Sequence, residues 1–256
     1  MKRPMIELKN ISKSYGEKTV VDQINLTINK GEFITILGTS GSGKTTTLKM
    51  INRLIEPSQG QIFFDGQDIS QMDPVQLRRQ IGYVVQQIGL FPHLTVADNI
   101  ATVPKLLHWD KDRTDQRVTE LLDLVQLPAA EYANSYPKAL SGGQQQRVGV
   151  ARALAADPNV MLFDEPFGAI DAITRGDLQE QLRQIHQTLS DKTFVFITHD
   201  IYEAFKLGTK VIIMDQGKVV QYDRPKTIIQ NSSSDFVRKL IETARGQESL
   251  WETAYD

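Results

Sequence analysis

The chain has 256 residues, enough for a complete hydrophobic core, and one folding unit with lobes is expected. Its 29 basic and 31 acidic side chains leave a formal net charge of -2, so no global field would hold it on DNA or on an anionic bilayer. It has no cysteine, which excludes a disulfide framework and thiolate metal sites.

The amino terminus, Met1-Lys2-Arg3-Pro4-Met5-Ile6-Glu7, starts basic but carries no apolar stretch of signal-peptide length. Residues 5–11, 20–28 and 61–64 read as strands with little helix between them, which predicts an antiparallel β lobe. Buried core strands are expected at 33–37, 83–85, 160–163, 194–197 and 211–214. Apolar runs such as 194–197 and 211–214 fall far short of the ~20 residues needed to span a bilayer. A soluble chain is expected, with any membrane connection made through another polypeptide.

From residue 95 to 127 the pattern turns helical, with Val118, Leu121, Leu122 and Val125 on one face. Leu178, Leu182, Ile185 and Leu189 form a second such face. A helical lobe is expected over about 87–157, inserted between two core strands. Glu56-Pro57-Ser58-Gln59-Gly60 and Tyr136-Pro137 punctuate joins. Residues 231–234 read as a polar linker and 235–243 as a last helix. Strands alternating with helices predict an α/β fold with a mostly parallel core, the antiparallel β lobe and the inserted helical lobe, and the motif that follows makes that core a P-loop one.

Gly38-Thr39-Ser40-Gly41-Ser42-Gly43-Lys44-Thr45 matches G-x-x-x-x-G-K-[ST], between the expected strand 33–37 and a helical run at 46–51. Glycines at these places let backbone N–H groups turn inward around phosphate oxygens, and the helix that follows adds a favourable dipole. Lys44 is placed to bridge the β- and γ-phosphates, and the Thr45 hydroxyl to ligate Mg²⁺. At the end of strand 160–163 stand Asp164, expected to reach Mg²⁺, and Glu165, expected to polarise the attacking water. An acidic pair ending a strand can also be a simple cap, but the phosphate loop upstream favours the metal site.

Leu140-Ser141-Gly142-Gly143-Gln144-Gln145-Gln146-Arg147 resembles the signature sequence of the ABC ATPases. Physically it is a second anion site, with small residues opening a helix and the Ser141 hydroxyl and Gly143 amide aimed outward. The resemblance, over about residues 6–230, implies further roles. Tyr15, with Val20 nearby, would be the aromatic platform under adenine. Thr46 would join the phosphate contacts, and Ser141, Gly142, Gly143 and Gln144 would contact the nucleotide of a second subunit. Gln86 would sense Mg²⁺ and the attacking water, and His199 would contact the γ-phosphate. Gly168-Ala169-Ile170-Asp171 resembles the dimer-interface loop; Gly168 and Ile170 depart from its usual Ser and Leu, and Asp171 is retained.

The same resemblance implies ATP and Mg²⁺ as cofactors, and a homodimer or paralogue dimer formed through an ATP sandwich. It also implies integral membrane permease subunits, an extracellular solute-binding protein reached indirectly, and a place on the cytoplasmic face of the membrane. The apolar segment 87–94 would line the groove that receives a short helix of the membrane subunit. Residues 50–57 and 81–109 look most like the ATPase subunits of importers for glycine betaine, carnitine and choline. Several of those continue into a pair of CBS regulatory domains; here the ATPase domain is expected over 1–236 and a C-terminal helix and tail over 237–256, with no such pair. The rival reading is a soluble ABC-type ATPase acting on nucleic acid or ribosomes. The absence of a basic stripe and the single cassette speak against it. Retention of Lys44, Asp164, Glu165 and His199 speaks against a degenerate module without turnover.

Overall fold

The computed structural model describes residues 3–86 and 89–254, so Gln87 and Ile88 of the expected groove segment lie outside the described residues. In chain order the first elements are β1 (Pro4–Tyr15), β2 (Lys18–Asn29), β3 (Phe33–Gly38), α1 (Lys44–Ile51), β4 (Gln59–Phe64), β5 (Gln67–Asp68), α2 (Pro74–Arg79) and β6 (Ile81–Val84). There follow α3 (Val96–Leu106), α4 (Lys111–Leu124), α5 (Ala129–Tyr132), α6 (Gly142–Leu154), β7 (Val160–Asp164) and α7 (Ala172–Thr188). The last are β8 (Thr193–Thr198), α8 (Ile201–Leu207), β9 (Lys210–Asp215), β10 (Lys218–Asp223), α9 (Pro225–Gln230) and α10 (Asp235–Ala254). Contacts divide the chain into two units, Met1–Pro74 with Val195–Asp256, and Val75–Phe194.

In the first unit β2, β1, β4 and β5 make an antiparallel sheet in that order. β1 runs past the expected end at residue 11 to Tyr15, because its register against β2 shifts between Leu8 and Ile11 and again near Lys13, with Asn10 at φ 52°. A bulge changes which side chains face inward, so the strand outlasts its simple alternation. β3 is buried along its whole length and pairs in parallel with β9; a continuous apolar run is what a strand covered on both faces requires. β10, which the sequence reading missed, returns antiparallel to β9 through Gln216 and Gly217, both at positive φ. Its side chains are half-buried, so no apolar run marked it. Leu37, Val211 and Ile213 pack with Ala204 of α8, Ile228 of α9, and Val237 and Ile241 of α10. Each such Leu, Val or Ile side chain stabilises by about 1.5–3 kcal/mol. α10 continues beyond the expected end at 243.

In the second unit β6 and β7 pair in parallel, with Tyr83 opposite Leu162. β6 covers Ile81–Val84, so Val85 falls just outside the strand expected at 83–85. The helical stretch 95–127 is two helices, broken where His108 takes φ 57° and Asp110 caps α4 by accepting from the Arg113 N–H. Val118, Leu121, Leu122 and Val125 are all buried, as are Leu178, Leu182 and Ile185 of α7. The parallel pairs, the separate antiparallel sheet and the helices α3–α6 make this the expected α/β fold. Among the described residues no helix is long and apolar enough to cross a membrane.

Candidate functional site

The phosphate loop belongs to the first unit. It leaves β3 at Gly38, and Gly41 and Gly43 take φ 78° and 98°, values that a side chain would strain. Gly43 occupies the N-cap of α1 and supplies no side-chain cap to the start of that helix. Thr39, Ser40 and Gly41 are exposed, while Ser42 and Lys44 are buried. The Lys44 ammonium spans the loop and donates to the Gly38 carbonyl at 2.8 Å and the Thr39 carbonyl at 3.0 Å. The buried Ser42 hydroxyl has no hydrogen-bond partner among the described residues. A buried polar atom without a partner loses roughly 1–3 kcal/mol, which an acceptor in the loop would recover.

Two straps hold this loop. The Gly217 N–H donates to the Ser42 carbonyl at 3.2 Å, and the Asp22 N–H to the Gly217 carbonyl at 2.9 Å. A Cβ on Gly43 would stand 2.7 Å from the Val20 carbonyl oxygen. Val20 is thereby set against the loop by backbone packing. Tyr15 is 53% exposed at the end of β1, with the Lys13 ammonium 5.1 Å from its ring centroid; the Lys13 ammonium also donates to the Glu56 carbonyl at 2.7 Å. An aromatic face half open to solvent is free to stack on a planar ligand. His199, also in this unit, is exposed just past β8. The next residue, Asp200, caps α8 by accepting from the Tyr202 and Glu203 N–H groups at 2.8 and 3.2 Å.

The second unit carries the remaining residues. Asp164 ends β7, and its Oδ2 accepts a hydrogen bond from the Tyr83 hydroxyl at 3.1 Å. Burial, joined by the Asp164 charge, pushes the Tyr83 phenol well above its usual range, so it stays a donor. Glu165 takes φ 47°. For a glutamate this left-handed conformation is unfavourable by about 1–3 kcal/mol and marks a place where the fold imposes the geometry. A Cβ on Gly168 would lie 3.4 Å from Gln86 Nε2 and 3.6 Å from the Glu165 carbonyl oxygen. Gln86, Glu165 and Gly168 therefore gather at one place. A Cβ at 168 would thus meet only ordinary contacts.

Ser141 caps α6 in a capping box: its hydroxyl accepts from the Gln144 N–H at 3.2 Å and its own N–H donates to Gln144 Oε1 at 2.9 Å. Gly143 is buried, and a Cβ there would stand 2.6 Å from Thr174 Cγ2. Gly142 is exposed, with Ile170 Cδ1 3.6 Å from where its Cβ would be. Asp171 caps α7, accepting from the Thr174 N–H at 3.0 Å, and that amide holds its carboxyl below the usual range. The signature residues and the 168–171 loop are thus packed together through α6 and α7.

The expected metal donors, the Thr45 hydroxyl, the Asp164 carboxylate and the Gln86 amide, are all hard oxygen donors of the kind Mg²⁺ takes. Among the described residues no group of three or more His, Cys, Asp and Glu could hold a metal alone. The donor types fit Mg²⁺, which is usually bound through one or two carboxylates together with waters and substrate phosphates.

A groove of about 360 Å³ lies in the second unit, and Gly89 and Phe91 of the segment expected to line one are in its wall. Arg78, Arg79, Gly89, Phe91 and Arg152 contribute to its walls, and none of the lining residues is acidic. The Arg152 guanidinium donates to the Gly89 carbonyl at 2.7 Å. Asn99, fully buried in α3, fixes the adjoining turn: its Oδ1 accepts from the Phe91 N–H, and its amide donates to the carbonyls of Phe91, Leu94 and Thr95.

The family model described as ABC transporter matches residues 21–168. The choline transport ATP-binding protein of Bacillus subtilis (strain 168) is 54% identical over 242 residues, 94% of this chain and 63% of that protein. The glycine betaine/carnitine/choline transport ATP-binding protein of the same organism is 53% identical over 253 residues, 98% of this chain and 65% of that protein. The chain thus spans a little under two thirds of the length of these relatives. Among solved structures, a dimeric, post-hydrolysis ATP-binding cassette bound to ADP and Pi superposes with a TM-score of 0.75 at 36% identity, covering 86% of this chain and 99% of that one.

Proposed function

Because this chain belongs to the ABC transporter family, we propose that it binds and hydrolyses ATP to energise a membrane importer of quaternary-ammonium osmoprotectants such as glycine betaine, carnitine or choline. The observation that carries the ATPase reading is the phosphate loop: glycines at positive φ, an α1 start without a side-chain cap, and Lys44 lying along it. The solute class rests on the relatives, which are named for transport of choline and of glycine betaine, carnitine and choline.

In this reading Tyr15 and Val20 seat the adenine. The backbone amides from Gly38 to Thr46 hold the phosphates, with Lys44 on the β- and γ-oxygens. Thr45, Asp164 and Gln86 hold Mg²⁺, which supplies charge neutralisation at the phosphate oxygens. Glu165 takes the proton of the attacking water, Gln86 orients that water, and His199 donates to the γ-phosphate. A second copy or a paralogue supplies its own signature residues Ser141, Gly142, Gly143 and Gln144, with Asp171 acting across the interface. In the same reading the groove beside Arg152 and Phe91 receives a short helix of a membrane-embedded partner at the cytoplasmic face of the membrane, and a solute-binding protein is reached only indirectly.

The first test is Lys44→Ala in ATP-binding calorimetry. Losing a charge-assisted hydrogen bond worth roughly 1.5–3 kcal/mol should abolish tight binding. An unchanged affinity would mean that the loop is not the phosphate site. The solute assignment is tested by copurifying the membrane partner and measuring ATPase stimulation in liposomes by glycine betaine, carnitine and choline. A complex stimulated by none of them defeats that assignment alone.

A further inference from the structure

We infer that Tyr83 is a positioning residue for the metal site, its hydroxyl holding the Asp164 carboxylate in the orientation that Mg²⁺ needs. The inference rests on the reading of Asp164 as a metal-holding residue. Its basis is a cross-strand geometry that the ATPase reading does not use. β6 and β7 run parallel with Tyr83 opposite Leu162. Asp164 is two residues further along β7, on the same face, because side chains alternate along a strand. The long phenol spans that offset and its hydroxyl reaches Asp164 Oδ2 at 3.1 Å.

Asp164 stands at the last residue of β7, and the chain turns at once into the left-handed backbone of Glu165. The terminal torsion of an aspartate is broad, so the strand alone leaves the two carboxylate oxygens poorly oriented. A donor on a neighbouring strand removes that freedom. Tyrosine suits the task, since its ring has few rotatable bonds and is half-buried here. Partners that orient metal-holding carboxylates contribute about 10- to 100-fold in metal affinity. The 3.1 Å separation is longer than the shortest charge-assisted O–H···O contacts. An effect of about tenfold, the lower end of that range, is therefore expected.

The test is Tyr83→Phe, which keeps the ring and removes only the hydroxyl, measured beside the parent and Asp164→Asn. Binding of the slowly hydrolysed analogue ATPγS is followed by calorimetry, first in EDTA and then while Mg²⁺ is titrated in. Tyr83→Phe should raise the Mg²⁺ concentration at half-effect about tenfold. Its affinity in EDTA should match the parent, which a merely structural role would not allow. A Tyr83→Phe chain with the parental Mg²⁺ response, while Asp164→Asn shifts it, overturns the inference and leaves the function intact. Equal weakening of Tyr83→Phe in EDTA and in Mg²⁺ also overturns it, by making the residue structural. If Asp164→Asn leaves the Mg²⁺ response unchanged, the metal assignment of Asp164 falls and the inference falls with it.

Discussion

Gly143 has two demands on it, its packing in the fold and, in the proposed function, contact with nucleotide. It is buried in the first turn of α6, and any Cβ would stand 2.6 Å from Thr174 Cγ2 of α7. Contacts that close force the neighbour to shift, and overpacking of this kind destabilises by about 1–3 kcal/mol. Gly143→Ala should therefore lower stability in urea unfolding, and adding Thr174→Ala, which deletes the offending methyl, should recover most of the loss. A double variant no more stable than Gly143→Ala would place the strain elsewhere. A bulky change at 143 consequently mixes packing with nucleotide contact. Ser141 is the cleaner probe, because it is exposed and its loss removes only a helix cap worth about 1 kcal/mol.

At the scale of elements, the end of β2 is tied to the start of β9 by one buried carboxylate. Glu32 is 4% exposed; it accepts from the Asn29 N–H at 2.9 Å and pairs with the Lys210 ammonium at 3.1 Å. Burial alone would raise its carboxyl, but the Asn29 amide and Lys210 together bring it below the ordinary value of 4.5. A carboxyl with a lowered folded pKa stabilises the fold fully above its unfolded value and loses that contribution as pH falls through the folded one. The parent should thus be more stable than Glu32→Gln at pH 7, and the gap should narrow below about pH 4.5. Urea midpoints across that range measure it. A gap that widens on acidification would reverse the sign and contradict the pairing.

For the whole molecule, the proposed cycle depends on a second chain closing over bound ATP. Glu165→Gln keeps the side chain's reach and removes its basic oxygen, so turnover should fall by about 10²–10⁴. Binding should survive, since Lys44, Thr45 and Asp164 are untouched. The ATP-bound dimer should then accumulate, because a ligand that favours the closed state shifts the population toward it. Size-exclusion chromatography with ATP, beside phosphate release, reads both effects. Parental turnover would remove Glu165 from the role of base, and a monomer that still binds ATP would argue against the sandwich.

Local order along the chain determined a good deal of this protein. The phosphate loop is contiguous, Gly41 and Gly43 fall where φ is positive, and the flanking strand and helix are its immediate neighbours, so Gly38 to Thr45 were legible as a unit. The buried faces of α4 and α7 were legible for the same reason, since period and burial share one helix. Bulges hid the length of β1, and half-burial hid β10. What depended on atoms brought together from distant positions could come only from the tertiary structure. The hydroxyl of Tyr83 meets Asp164 across 81 residues of chain. Asn99 pins a turn, Glu165 is forced to φ 47°, and Gly143 is required as much by Thr174 as by any nucleotide. Strand pairing and helix packing set these contacts, and neither leaves a periodic mark on the sequence that an isolated segment could display.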